Sequence, residues 1–148
     1  MPHKTPLQTL QDLAKTRVDD ATRKLGELIA SERACEDKLQ MLRQYREEYR
    51  ARFLSTAKGG IDPNAWRNYS SFLLQLDEAI TQQERIVDHS KHATATGQKH
   101  WTHERNRAKA FDTLSHRQHL QELQREAKQE QRLSDEHAAK HHQAQPDE

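Results

Sequence analysis

"AKGGIDPNAW" (residues 57–66) holds two of the four glycines and one of the four prolines in a chain of 148 residues. The other prolines, Pro2, Pro6 and Pro146, lie at the ends. A lone internal proline beside a glycine pair marks a place where one helix stops and another starts. Gly59 or Gly60 can close a helix in the left-handed conformation that other residues adopt only under strain. Asp62 can accept from the first free amides of the next helix, and Pro63 suits its first position, where no donor is needed. The stretch therefore reads as the turn of a helical hairpin, although a kinked continuous helix could also carry it. Helix one then covers about 7–57, the turn about 58–62 and helix two about 63–140.

Composition agrees with long helices. Apolar residues are 32% and charged residues 32%, well short of the apolar content of an ordinary globule. Such a chain cannot fill a thick core, but it can bury one narrow stripe per helix. The 24 basic and 23 acidic side chains nearly cancel and are interleaved, as in "LQREAKQEQR" (123–132). A nucleic-acid binder concentrates its cations on one face, so nucleic acid is not an expected partner. No apolar run is long enough to span a bilayer, which sets the expectation of no direct membrane insertion. Cys35 is the single cysteine, so no internal disulfide forms. With no signal-like apolar start, the expectation is a cytosolic protein.

The heptad test supports the hairpin. Every seventh residue from Leu7 reads Leu7, Ala14, Ala21, Leu28, Cys35, Leu42, Tyr49, all apolar or aromatic. The companions four residues later read Gln11, Val18, Leu25, Glu32, Leu39, Arg46, Phe53. This is a coiled-coil seam on a helix roughly 70–75 Å long. In helix two the seam runs Trp66, Tyr69, Leu73, Leu76, Ile80, Gln83, Val87. It fades through Ser90, Thr94 and Gly97, and returns at Trp101, Ala108 and Phe111. Folding at the turn sets Trp101 near Ala21, Phe111 near Leu10 and Ala14, and the fading stretch against Leu25 and Leu28. The expected fold is all-α: an elongated antiparallel two-helix coiled-coil hairpin, residues 1–148 forming one unit. Helix one has nothing left to pair beyond about residue 115. The remaining overhang is polar all round and is expected to fray unless something else orders it.

Some apolar residues flank the seam. Tyr45 in helix one, and Phe72, Ala79 and Ile86 in helix two, lie beside it near the turn. The last three are seven apart and form a ridge, with Leu76 in the seam between them and Tyr49 and Leu42 coming across. They are either a widened seam or an exposed ridge for a partner. Leu10 and Leu13 widen the apolar face of helix one near its start. They either touch the overhang or bind a second partner.

His89, His92, His100 and His103 fall within about 80° on one helix face opposite the seam. A structural metal site is closed by four ligands with supporting hydrogen bonds. This face is open and Cys35 is distant, so it reads as a solvated face and no metal or other cofactor is expected. No glycine-rich phosphate loop and no Ser-His-Asp set is present, and two helices offer no pocket for one. The chain is not expected to be an enzyme.

"LQDLAK" (10–15), "VDDATRKLGE" (18–27), "KLQMLRQYREEYR" (38–50), "GI" (60–61), "WRNYSSF" (66–72), "LDEAI" (76–80), Trp101 and "TLSHRQ" (113–118) together resemble the FliJ family. These are cytoplasmic components of the bacterial flagellar type III export apparatus. The resemblance covers nearly the whole chain through an ordered set of short matches. It implies a hairpin similar to the central stalk of rotary ATPases. It implies three partners: the hexameric export ATPase, engaged through the open end; the membrane-embedded export gate protein; and export chaperones. A role in flagellum biogenesis, and through it in chemotaxis, follows, with peripheral association at the inner membrane. The gate contact carries over onto Phe72, Leu76 and Ala79. Gln83 continues that stripe where familiar members have histidine, and Tyr45 and Tyr49 adjoin it. Leu10 and Leu13 lie where the ATPase contact falls. The rival from another class is a self-associating structural coiled coil.

Overall fold

The computed structural model describes residues 3–144, and Pro2 and Pro146 lie outside the described residues. Two helices form it, α1 (Pro6–Ala57) and α2 (Pro63–Ala144), with no strand among the described residues. The turn forms as its sequence predicts. Gly60 takes a φ of 100°, and its amide donates to the Ala57 carbonyl at 3.0 Å. Asp62 Oδ1 accepts from the Asn64 amide at 3.3 Å, and the Asp62 carbonyl takes the Trp66 amide at 3.1 Å. Pro63 lies between them, where its missing donor costs nothing.

The start of α1 has a cap that the sequence reading did not pick out. Thr5 Oγ1 accepts from the Gln8 amide at 3.2 Å, and Gln8 Oε1 accepts from the Thr5 amide at 3.1 Å. This reciprocal pair satisfies two otherwise free donors. Its signal was present in "TPLQ" (5–8), a threonine and a glutamine three apart around a first-position proline.

Every heptad position in α1, from Leu7 through Phe53, is buried or half-buried, and apart from Ala57 every other residue of the helix is exposed. The stripe in α2 alternates steps of three and four from Tyr69 to Ser115. It does not fade: Ser90, Thr94 and Gly97 remain half-buried, and Glu104 is buried between Trp101 and Ala108. Trp66 departs from the expectation, being 52% exposed, although Phe53 of α1 meets one side of its ring.

Cα packing groups the chain into two units, Asp19–His103 and the segments before and after it. In the turn unit the helices are antiparallel: successive partners across the seam rise in α1 as they fall in α2. Trp101 Nε1 donates to Thr22 Oγ1 at 2.9 Å, the Thr94 hydroxyl lies 3.4 Å from the Leu28 carbonyl, Gln83 Nε2 donates to the Cys35 carbonyl at 2.9 Å, and Arg46 pairs with Asp77. Leu39, Ile80 and Val87 form the core, with Cys35 and Leu42 packed on it. In the terminal unit Ala14 is buried, and Gln11 Nε2 donates to Asp112 Oδ1 at 2.9 Å. Among the described residues Ser115 is the last half-buried one, and from His116 to Ala144 every residue is helical and exposed.

Two glycines in the turn unit test this packing with opposite signs. A Cβ on Gly26 would meet nothing within 4 Å. Gly26→Ala should therefore stabilise the chain by about 0.8–1.0 kcal/mol, the ordinary helix-interior difference. A Cβ on Gly97 would lie 2.5 Å from Leu28 Cδ1. Gly97→Leu should destabilise by about 1–3 kcal/mol through overpacking. Urea titration of both variants reads the two signs, and stabilisation by Gly97→Leu would contradict the close approach.

Candidate partner-binding surfaces

An aromatic ladder crosses the turn unit beside the chain reversal. Phe53 stacks on Tyr69 with ring centres 3.7 Å apart, and Tyr69 stacks on Tyr49 at 5.5 Å. Phe72 packs on Tyr49 at 4.6 Å and meets Tyr45 edge-on at 6.3 Å. Heptad spacing in α1 places Phe53, Tyr49 and, one step to the side, Tyr45 on successive turns. The antiparallel register brings Tyr69 and Phe72 of α2 between them. Offset and edge-on contacts of this kind add to simple area burial, so the ladder holds its outer members in fixed orientations.

The predicted site residues divide by depth. Tyr45 is 43% exposed, Leu76 only 8% and Gln83 only 4%, whereas Tyr49, Phe72 and Ala79 are half-buried. The structure brings all six into the turn unit. Tyr45, Phe72 and Ala79 present surface, and Leu76 and Gln83 support it from within the seam. Gln83 spends its amide donor on the Cys35 carbonyl, which leaves it the member least able to touch another molecule. Ile86, the third member of the ridge, is 48% exposed. Phe72 therefore adds to the seam with one face and keeps the other accessible.

Charge frames this patch. Asp77 accepts from Arg46 in the half-buried wall of the seam, and that hydrogen bond raises the pKa of the guanidinium further above its ordinary value. Arg43 pairs with Glu84 at 3.0 Å on the neighbouring turn.

In the terminal unit Leu10 is 42% and Leu13 46% exposed, so both offer apolar surface. Lys4 Nζ lies 2.6 Å from Asp12 Oδ2 and holds that carboxyl below the usual carboxylate range by a hydrogen bond and its charge. What this contact contributes is present above the ordinary aspartate pKa and is lost as pH falls through the lowered one. His89, His92, His100 and His103 are all exposed.

Glu104 is a buried charged residue that the sequence reading missed. It is 7% exposed, and its Oε2 has no hydrogen-bond partner among the described residues. The signal lay in the spacing, since 104 falls on the heptad between Trp101 and Ala108. A search for apolar residues steps over it.

The family model described as "Flagellar FliJ protein" matches residues 3–147. The flagellar FliJ protein of Escherichia coli (strain K12) is 36% identical over 132 residues, which cover 89% of this chain and 90% of the relative. That of Salmonella typhi is likewise 36% identical over 132 residues, with the same coverage.

Proposed function

The chain belongs to the FliJ family of flagellar proteins, and from that premise we propose that it is a non-enzymatic component of the flagellar type III protein export machinery. In this reading it links the hexameric export ATPase to the membrane export gate and receives export chaperones. It works in the cytoplasm, peripherally at the inner membrane beneath the flagellum. ATP hydrolysis belongs to the partner. The chain contributes two helices that present apolar surface at separate sites, Leu10 and Leu13 toward the ATPase and the Tyr45–Phe72–Ala79 face toward the gate.

The observation that carries this reading is the half-buried Phe72 wedged between Tyr45 and Tyr49. An aromatic side chain fixed by its neighbours but still accessible loses little entropy on binding, which is the character of an interface anchor. No helix among the described residues is long and apolar enough to cross a membrane.

The test is capture of the cognate export ATPase and gate protein with this chain as bait, repeated with two variants. Phe72→Ala should weaken gate binding by about 2 kcal/mol or more, roughly thirtyfold, while lowering stability less. Gln83→Leu should leave gate binding unchanged. It replaces a buried amide with an apolar group of similar length, and the change in stability should lie within about 1 kcal/mol. Loss of helix content with unchanged affinity per folded molecule in Phe72→Ala would make Phe72 a core residue only. Failure of both partners to bind the unaltered chain would end the adaptor reading.

A further inference from the structure

Exposed apolar side chains and unpaired cations gather at the chain reversal, beyond the Phe72 face. Leu54 is 50%, Trp66 52% and Ile61 38% exposed. Trp66 is not loose: Phe53 and Tyr69 each support its ring at 5.9 Å, so its open face is held outward. Lys58 follows the end of α1 and Arg67 follows Trp66 in α2, and neither has an ion pair among the described residues. Between residues 50 and 67 the charged groups are Arg50, Arg52, Lys58 and Arg67 against Asp62, a net charge of +3. The whole chain carries +1, so everything else sums to −2. Asp62 is committed to capping α2. Glu47 and Glu48 lie 3.8 and 3.9 Å from Arg50 and Arg52 and offset them within a Debye length, so the cations left to meet an anionic surface are Lys58 and Arg67.

We propose that this turn docks on an anionic lipid surface, with Trp66, Ile61 and Leu54 entering the headgroup layer and Lys58 and Arg67 facing lipid phosphates. Tryptophan is enriched at that depth because its ring is apolar and its N–H is polar. Lysine and arginine lay their apolar stems along such a surface and keep their charges at the headgroups. Charge complementarity selects the occupant. A second copy would bring the same cations against themselves. The apolar residues surround a reversal and do not follow one helical stripe, so they fit a deformable layer better than a groove of fixed shape. Contact of this size is reversible, and each cation near an anionic surface contributes roughly fivefold in affinity.

The experiment uses the full chain with Trp101→Phe, so that Trp66 is the only indole, and vesicles of phosphatidylcholine alone or with about one-third phosphatidylglycerol. The chain should float with the anionic vesicles and not with the neutral ones. Trp66 emission should shift to the blue, and brominated lipid should quench it. Raising salt should weaken binding. Lys58→Glu with Arg67→Glu, and separately Trp66→Ala, should each reduce binding at least about tenfold with helix content unchanged. Equal binding to neutral vesicles, no binding, or flotation with unshifted Trp66 emission would overturn the proposal. Binding to an acidic polypeptide such as polyglutamate but not to the vesicles would overturn it in favour of a protein partner. Only lipid and this chain are present, so either outcome leaves the Phe72 contact to be judged on its own test.

Discussion

Ile80→Asp is expected to unfold the core of the turn unit. Ile80 is 9% exposed and belongs to the small cluster with Leu39 and Val87. Its burial contributes about 1.5–3 kcal/mol, and an unpaired carboxylate in its place adds a desolvation cost of its own. Arg43 and Arg46 across the seam offer no rescue, because they already pair with Glu84 and Asp77. Those two acids, on neighbouring turns of α2, would repel a third. Two packed helices have no second layer into which the charge could turn. The expected loss is at least about 3–5 kcal/mol, seen as a collapse of the thermal transition by circular dichroism. Ile80→Leu, which keeps volume and polarity, should cost less than about 1.5 kcal/mol. An unchanged melt for Ile80→Asp would mean that the seam does not lie where Leu39, Ile80 and Val87 place it.

Two deletions should have sharply different consequences. Removal of residues 134–148 should leave the stability of the turn unit nearly unchanged. From His116 to Ala144 every residue is exposed, and an unpartnered polar helix gains little beyond its own weak propensity. A deletion reaching back to Leu114 should also spare the turn unit, since Asp19–His103 contains its own core. It removes the whole unpaired helix together with the half-buried Ser115. If the terminal unit binds the export ATPase and the Phe72 face the export gate, this longer deletion should abolish capture of the ATPase while gate binding persists. Melting of the whole chain by the short deletion would contradict the exposure of that segment. Loss of gate binding by the long one, in a chain that is still folded, would contradict the assignment of the gate contact to the turn unit alone.

The turn and the α1 seam could be read in advance because each has a direct physical cause. Only glycine and proline chemistry satisfies "GGIDP", and only a 3.5-residue period puts Leu7 through Tyr49 on one face. The α2 seam was harder to follow where its members are polar or small. Thr94 and Gly97 hold the seam because Leu28 fills the space opposite, a fact of the partner helix and not of the α2 sequence. Glu104 and the Thr5–Gln8 cap were written in the spacing but in residue types that a hydrophobic scan ignores. The grouping of Tyr45, Tyr49 and Phe72 followed from spacing plus register. Their depth did not, since it depends on which rings stack beneath them. Gln83 shows the limit most clearly: one position lies on both the seam and the ridge, and its hydrogen bond to Cys35 decides which side it faces. Trp66 shows the converse, a residue in phase with the seam that is still half exposed, with only Phe53 and Tyr69 against its ring.

The bare stretch of α2 also sets a clock. Its amides have no tertiary layer over them, so they should trade protons with water whenever a single turn opens, with no need for the helices to part. Amides around Leu39 and Ile80 should wait for a much larger opening. Deuterium uptake followed along the chain should therefore break near Ser115, fast beyond it and slow before it. A bound partner would move that break toward Ala144, and the new position would record how much of the helix the partner grips.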